Sequence, residues 1–274
     1  MLPPDTLLTR VLLLIALAAL LGLLVWRAVR KDRREYGRFK RMTGTAGRQK
    51  MFRKWLLDSF VTFGGASVVI LLLAWQSVPR MLAQVERWPA TMAFRSFVRD
   101  GGDLFTAVLI GLTVTVVGGG ILVVILARKT DDVPTIGDIG ALLPRNRAEL
   151  GFGAALSINA GVVEELLFRL ALPALLFGIT GNAAIAIVAS VLLFASLHLY
   201  QGLPGSAGAL LVGALLMLLF LATGSILWPI LAHALFDLRS LVLIPMAVYG
   251  VHRKVGDEEP AVEPAISVTD HGGD

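Results

Sequence analysis

Seven times along the chain an apolar run approaches 20 residues, the length at which a helix crosses ~30 Å of hydrocarbon. The runs cover about residues 7–26, 56–75, 105–126, 156–176, 183–203, 207–223 and 226–244. One water-soluble core cannot hide so much apolar surface. With 56% hydrophobic and 16% charged residues and a mean hydropathy of +0.75, the chain calls for a bilayer as solvent. The expected fold is all-α, a polytopic transmembrane helical bundle of about seven spans. Trp26, Trp55, Trp75 and Trp228 fall at the ends of runs, as an interfacial aromatic belt requires.

Charge distribution orients the bundle. Twelve of the 25 Lys and Arg residues lie between Arg27 and Lys54, directly after the first run. The positive-inside rule puts this basic loop, 27–54, in the cytoplasm, with the N-terminus outside and the C-terminus cytoplasmic. A basic block beside an apolar run reads as topology rather than as a nucleic-acid surface, so no nucleic-acid partner is expected. The first run does not read as a signal peptide, because the positive charge follows it and no A-x-A-like site separates the two. There are no cysteines, which excludes disulfides, thiolate metal ligands and a cysteine nucleophile. The chain divides into three N-terminal spans (1–126), a cytoplasmic connector (127–150), a helical core (151–249) and an acidic, Pro- and Gly-containing tail (250–274) that reads as disordered.

Six ionisable residues interrupt the apolar runs of the core: Glu164, Glu165, Arg169, His198, His233 and Asp237. A charge at the centre of a membrane helix costs about 2.5–3.5 kcal/mol on insertion scales. Intramembrane ionisable groups are therefore candidates for function, against the alternative of a polar network that only fixes helix packing. Glu165 and Arg169 are i and i+4 and share a helix face. Glu164 is turned ~100° away and has Leu167 and Phe168 at i+3 and i+4. Glu165 thus reads as the neutralised, orienting carboxylate and Glu164 as the one left for chemistry. Phe194 and His198 repeat the i, i+4 spacing, so the ring can pack beside the imidazole; alone, such a histidine reads as core or interfacial. His233 and Asp237 repeat it again. Asp237 either holds the His233 tautomer, faces a common ion with it, or pairs with Arg239.

These residues carry a resemblance. Glu164-Glu165-Leu166-Leu167-Phe168-Arg169 is similar to the EExxxR motif of the CPBP family of intramembrane proteases, the CAAX protease and bacteriocin-processing type. Phe194-Ala195-Ser196-Leu197-His198 is similar to its FxxxH motif, and His233-Ala234-Leu235-Phe236-Asp237 to its HxxxN/D motif. The three stand in the family's order on separate apolar runs, within roughly 145–249. The resemblance implies an endopeptidase site in which Glu164 activates water and His198 helps to hold it. Glu165 and Arg169 would orient the site, and His233 and Asp237 would stabilise the oxyanion or bind an ion. Two positions depart from the pattern. Leu170 stands where the family often has Gly, and Asp237 where it often has Asn, whose amide could donate to an oxyanion.

Glu164, His198, His233 and Asp237 also make an N/O ligand set that zinc would accept, although the HExxH signature is absent. With or without a divalent metal, the expected reaction is amide hydrolysis by activated water. The expected partners are membrane lipids and a peptide or membrane-protein substrate, in the plasma (inner) membrane. The competing readings are a non-catalytic immunity or scaffold protein and a proton-coupled transporter; the latter would favour internal repeats, and none is visible.

Overall fold

The computed structural model describes residues 6–103 and 140–256, and every element in them is helical. Helix α1 spans Leu7–Phe39 and α2 spans Thr45–Ala74. Two short helices follow, α3 (Ser77–Glu86) and α4 (Pro89–Asp100). Helix α5 runs from Arg147–Glu165 through a π-helical turn, Leu166–Ala171, into Leu172–Thr180. It ends at Gly181, whose φ of 65° is left-handed, and Asn182 then caps α6 (Ala183–Ser196) by accepting from the Ile185 amide. Helix α7 is Gly202–Thr223, preceded by the single turn Leu199–Gln201, and α8 is Leu227–Tyr249.

The second half of α5 is the centre of the bundle. Leu167, Phe168, Leu172 and Leu175 are fully buried in one apolar cluster with Leu20 of α1, Ile70 of α2, Ala186 of α6 and Phe220 of α7. The opposite faces of the surrounding helices are equally apolar. Leu72, Leu211, Leu218 and Leu235 are all exposed. A helix that is apolar all round while one face looks outward belongs in hydrocarbon. Trp75 and Trp228 are exposed at helix ends and Trp26 where α1 enters its π-helical turn, places where a headgroup region would meet them.

Among the described residues, four helices are long and apolar enough to cross a membrane: α1, α2, the stretch Leu199–Thr223, and α8. The predicted third span, 105–126, lies outside the described residues, as do parts of the connector and the tail. The predicted fourth span lies within α5, which carries Glu164, Glu165 and Arg169 at mid-length. The predicted fifth span, 183–203, is corrected. Helix α6 has 14 residues, or ~21 Å, and stops at Ser196. Side-chain hydroxyls take the carbonyls of its last turns, Ser196 from Leu193 and Ser206 from Ala195. Gly202, at φ 82° and ψ 174°, then redirects the chain into α7. His198 stands at this break rather than inside a continuous span.

The basic segment 27–54 is also corrected, from a loop to a helical hairpin. Helix α1 continues through a π-helical turn, Arg27–Asp32, to Phe39, and α2 starts at Thr45. Its apolar residues recur at helical spacing and pack together: Phe39 on Phe52 and Trp55, with Phe152 of α5 stacked on Phe52. Trp55 is no simple belt residue, since its indole N–H donates to Glu35 at 2.8 Å.

Arg48 ties this hairpin to α5. The side chains of Arg48 and Glu149 are both fully buried, with Nε 2.8 Å from Oε1. The two other guanidinium nitrogens donate to the Ala141 and Leu143 carbonyls, both at 3.1 Å. Glu149 Oε2 accepts from the Arg145 amide, and the Asn146 side chain bridges from Thr45 Oγ1 to the Glu149 amide. Removing one partner of such a pair strands a buried charge, at about 3–5 kcal/mol. Glu149→Ala is therefore expected to lower the unfolding midpoint of the purified protein strongly. The double substitution Arg48→Met/Glu149→Leu is expected to recover most of the loss; an unchanged midpoint in the single variant would count against the clasp.

Candidate active site

Glu164 and Glu165 end the first stretch of α5, and Arg169 lies in the π-helical turn that follows. Such turns interrupt the regular ladder and recur at functional positions. Here the Ser190 hydroxyl of α6 donates to the Phe168 carbonyl of the turn at 2.6 Å, locking α6 against it.

Glu165 is fully buried and its two oxygens have different partners. Oε1 accepts from Nδ1 of His233 at 2.7 Å, and Oε2 lies 3.1 Å from Nε of Arg169. The Arg169 contact is an ion pair without hydrogen-bond alignment, and the guanidinium nitrogens make no hydrogen bond among the described residues. The guanidinium instead rests over the Phe194 ring, 4.5 Å from its centroid.

The Glu165–His233 bond depends on a close approach of α5 to α8. A Cβ at Gly161 would lie 2.9 Å from Ala234 Cβ and 3.0 Å from the Ile230 carbonyl oxygen. Small residues at 161 and 234 let the backbones meet beside His233. Asp237 lies one turn on, with Oδ2 3.6 Å from His233 Nε2, beyond hydrogen-bond reach. The carboxylate that fixes the His233 tautomer is thus Glu165, where the spacing alone suggested Asp237. No ion pair joins Asp237 to Arg239 among the described residues.

His198 follows the end of α6, and among the described residues its side chain makes one hydrogen bond, between Nδ1 and the Phe194 carbonyl at 2.9 Å. A carbonyl only accepts, so Nδ1 carries the proton in this bond. In the neutral ring Nε2 then keeps its lone pair. The expected packing of Phe194 beside His198 is present, with ring centroids 4.8 Å apart. Phe194 does more than the spacing indicated, because its ring also meets the edge of His233 at 6.3 Å. It can do so because Gly213 leaves room: a Cβ there would come within 2.8 Å of the ring.

Glu164 is half-buried and makes no side-chain hydrogen bond among the described residues. It is within electrostatic range of Arg169, His233 and Asp237. The structure thus joins Glu165, Arg169 and His233 directly, links His198 to them through Phe194, and leaves Glu164 and Asp237 beside them without a side-chain hydrogen bond among the described residues. The four-residue zinc set of Glu164, His198, His233 and Asp237 is not assembled. Among the described residues no three His, Asp or Glu side chains converge on one point, and His233 Nδ1 is already engaged by Glu165. Sequence reasoning missed Gly161, Gly213 and the bridging role of Phe194. Only the small side chains at 161 and 213 hinted at close contacts.

An all-helical bundle with apolar outward faces and a buried Glu–Arg–His cluster defines an integral membrane protein with ionisable groups held in its core. Residues 146–239 match the family described as type II CAAX prenyl endopeptidase Rce1-like, a match consistent with the CPBP resemblance. No curated protein and no solved structure matches the chain.

Proposed function

We propose that the protein is an intramembrane endopeptidase that hydrolyses peptide bonds in membrane-associated or peptide substrates. The unequal state of the two adjacent glutamates carries this reading. Glu165 is held by a hydrogen bond from His233 and an ion pair with Arg169, while Glu164 has no hydrogen-bond partner among the described residues. In the proposed reaction Glu164 takes a proton from water, whose oxygen attacks the scissile carbonyl, and returns it to the departing amine. His198 accepts from the same water through Nε2. Glu165 and Arg169 hold the geometry, and His233 and Asp237 lie on the oxyanion side. The bundle has about seven crossings in the plasma (inner) membrane, and the positive-inside rule supports a cytoplasmic basic hairpin and an outside N-terminus.

The substrate class follows from comparing the membrane peptides and proteins of cells that carry the wild-type protein with those that carry Glu164→Gln. Cleavage products that need Glu164 identify the substrate; identical profiles would sink the reading. Metal dependence is tested separately. Because the four candidate donors do not converge, activity is expected to survive chelation, with no stoichiometric metal found by elemental analysis of the active protein. Loss of activity that zinc restores would mean that these donors close round an ion.

A further inference from the structure

The family match begins at residue 146, yet an element far upstream of it reaches the proposed site. Tyr36, near the end of α1, is 7% exposed. Its ring meets the Tyr200 ring edge-on, with centroids 5.6 Å apart. Tyr200 lies over the His198 imidazole at 6.3 Å and 27°, on a ring whose other neighbour is Phe194 at 4.8 Å.

His198 needs such support. It follows a helix end, its imidazole makes one hydrogen bond among the described residues, to its own preceding turn, and it is succeeded by one short turn and a glycine. The Tyr200 hydroxyl accepts from the neighbouring Gln201, a bond within the same turn. From outside this turn, Tyr36 meets the Tyr200 ring. The hairpin that presents Tyr36 is not loose, because Arg48–Glu149 and Thr45–Asn146 bind it to the start of α5. Helix α5 also carries Glu164. One clasp therefore references both halves of the proposed water-activating pair, Glu164 along α5 and His198 through Tyr36 and Tyr200.

We propose that Tyr36, acting through Tyr200, is a positioning residue for His198, so that the basic hairpin outside the family-matched segment completes the site. This rests on the peptidase reading for its consequence, but not for its geometry. Sub-ångström placement of an acid–base group is worth large factors in rate, whereas the ring contact itself adds little to folding.

The test uses the full-length protein in lipid nanodiscs with ¹³C-labelled histidine. The chain has four histidines, which single substitutions assign. In Tyr36→Leu the His198 ring signal is expected to shift and broaden, with the His233 signal and the unfolding midpoint unchanged. Tyr36→Phe is expected to match the wild type, because the ring makes the contact. If Tyr36→Leu does not fold, Tyr200→Leu, at a partly exposed position, serves instead and should move the same signal. An unmoved His198 signal overturns the proposal, as does an equal change at His233 with a lowered midpoint, which is general loosening. On a Glu164-dependent substrate Tyr36→Leu is expected to lower kcat about tenfold at unchanged KM. If the wild type cleaves nothing, the peptidase reading fails while the His198 signal still decides the positioning.

Discussion

Glu164→Gln is expected to reduce peptide cleavage by roughly 10²–10⁴-fold, the usual contribution of a positioned general base, while leaving the protein folded. The amide matches the carboxylate in size but cannot accept the proton of the attacking water. Folding should survive because Glu164 is only half-buried and gives up no hydrogen bond among the described residues. The measurement is cleavage of a substrate identified by its dependence on the wild-type protein, with the unfolding midpoint recorded alongside. Full activity in a folded Glu164→Gln protein would remove Glu164 from the mechanism. His198→Ala should also abolish cleavage, by removing the Nε2 acceptor rather than the base.

Arg169→Met is expected to behave in the opposite way, with its largest effect on stability. Arg169 and Glu165 are both fully buried, so the substitution strands the Glu165 carboxylate with His233 as its one remaining partner among the described residues. Breaking a buried pair from one side costs about 3–5 kcal/mol. Arg169→Lys should recover only part of this, since an ammonium cannot lie flat over the Phe194 ring as the guanidinium does. The readout is the unfolding midpoint of purified protein in detergent or nanodiscs. A midpoint within a degree or two of wild type for Arg169→Met would show that Glu165 and His233 suffice without the cation. Together the two variants separate the paired glutamates, one acting on rate and its neighbour on structure.

The pairing of Glu165 with Arg169 was legible from the i, i+4 spacing, and so was the freedom of Glu164, because one helix step rotates a side chain by ~100°. The partner of His233 was not. Asp237 has the right spacing, but the carboxylate that bonds Nδ1 comes from α5, where Gly161 and Ala234 let two backbones approach. No local periodicity reports a contact between residues so far apart in the chain. The role of Arg48 was hidden for a related reason. In a basic block, charge is visible and burial is not, so Arg48 counted toward topology although it is fully buried. The helical spacing of Phe39, Met51, Phe52 and Trp55 was there to be seen, but the density of Lys and Arg around them masked it.

By itself the sequence determined the solvent, the helical class and the list of chemical groups. These depend on composition, run length and spacing along one helix, all of which are local. Tertiary structure decided which groups meet: Glu165 with His233, Phe194 with Arg169 and His233, Arg48 with Glu149, and Tyr36 with the turn that carries His198. It also ended α6 at Ser196 and set His198 at the break. Each of these depends on how closely helix backbones approach, which glycines and alanines set pair by pair across the bundle. A one-dimensional pattern does not encode those distances.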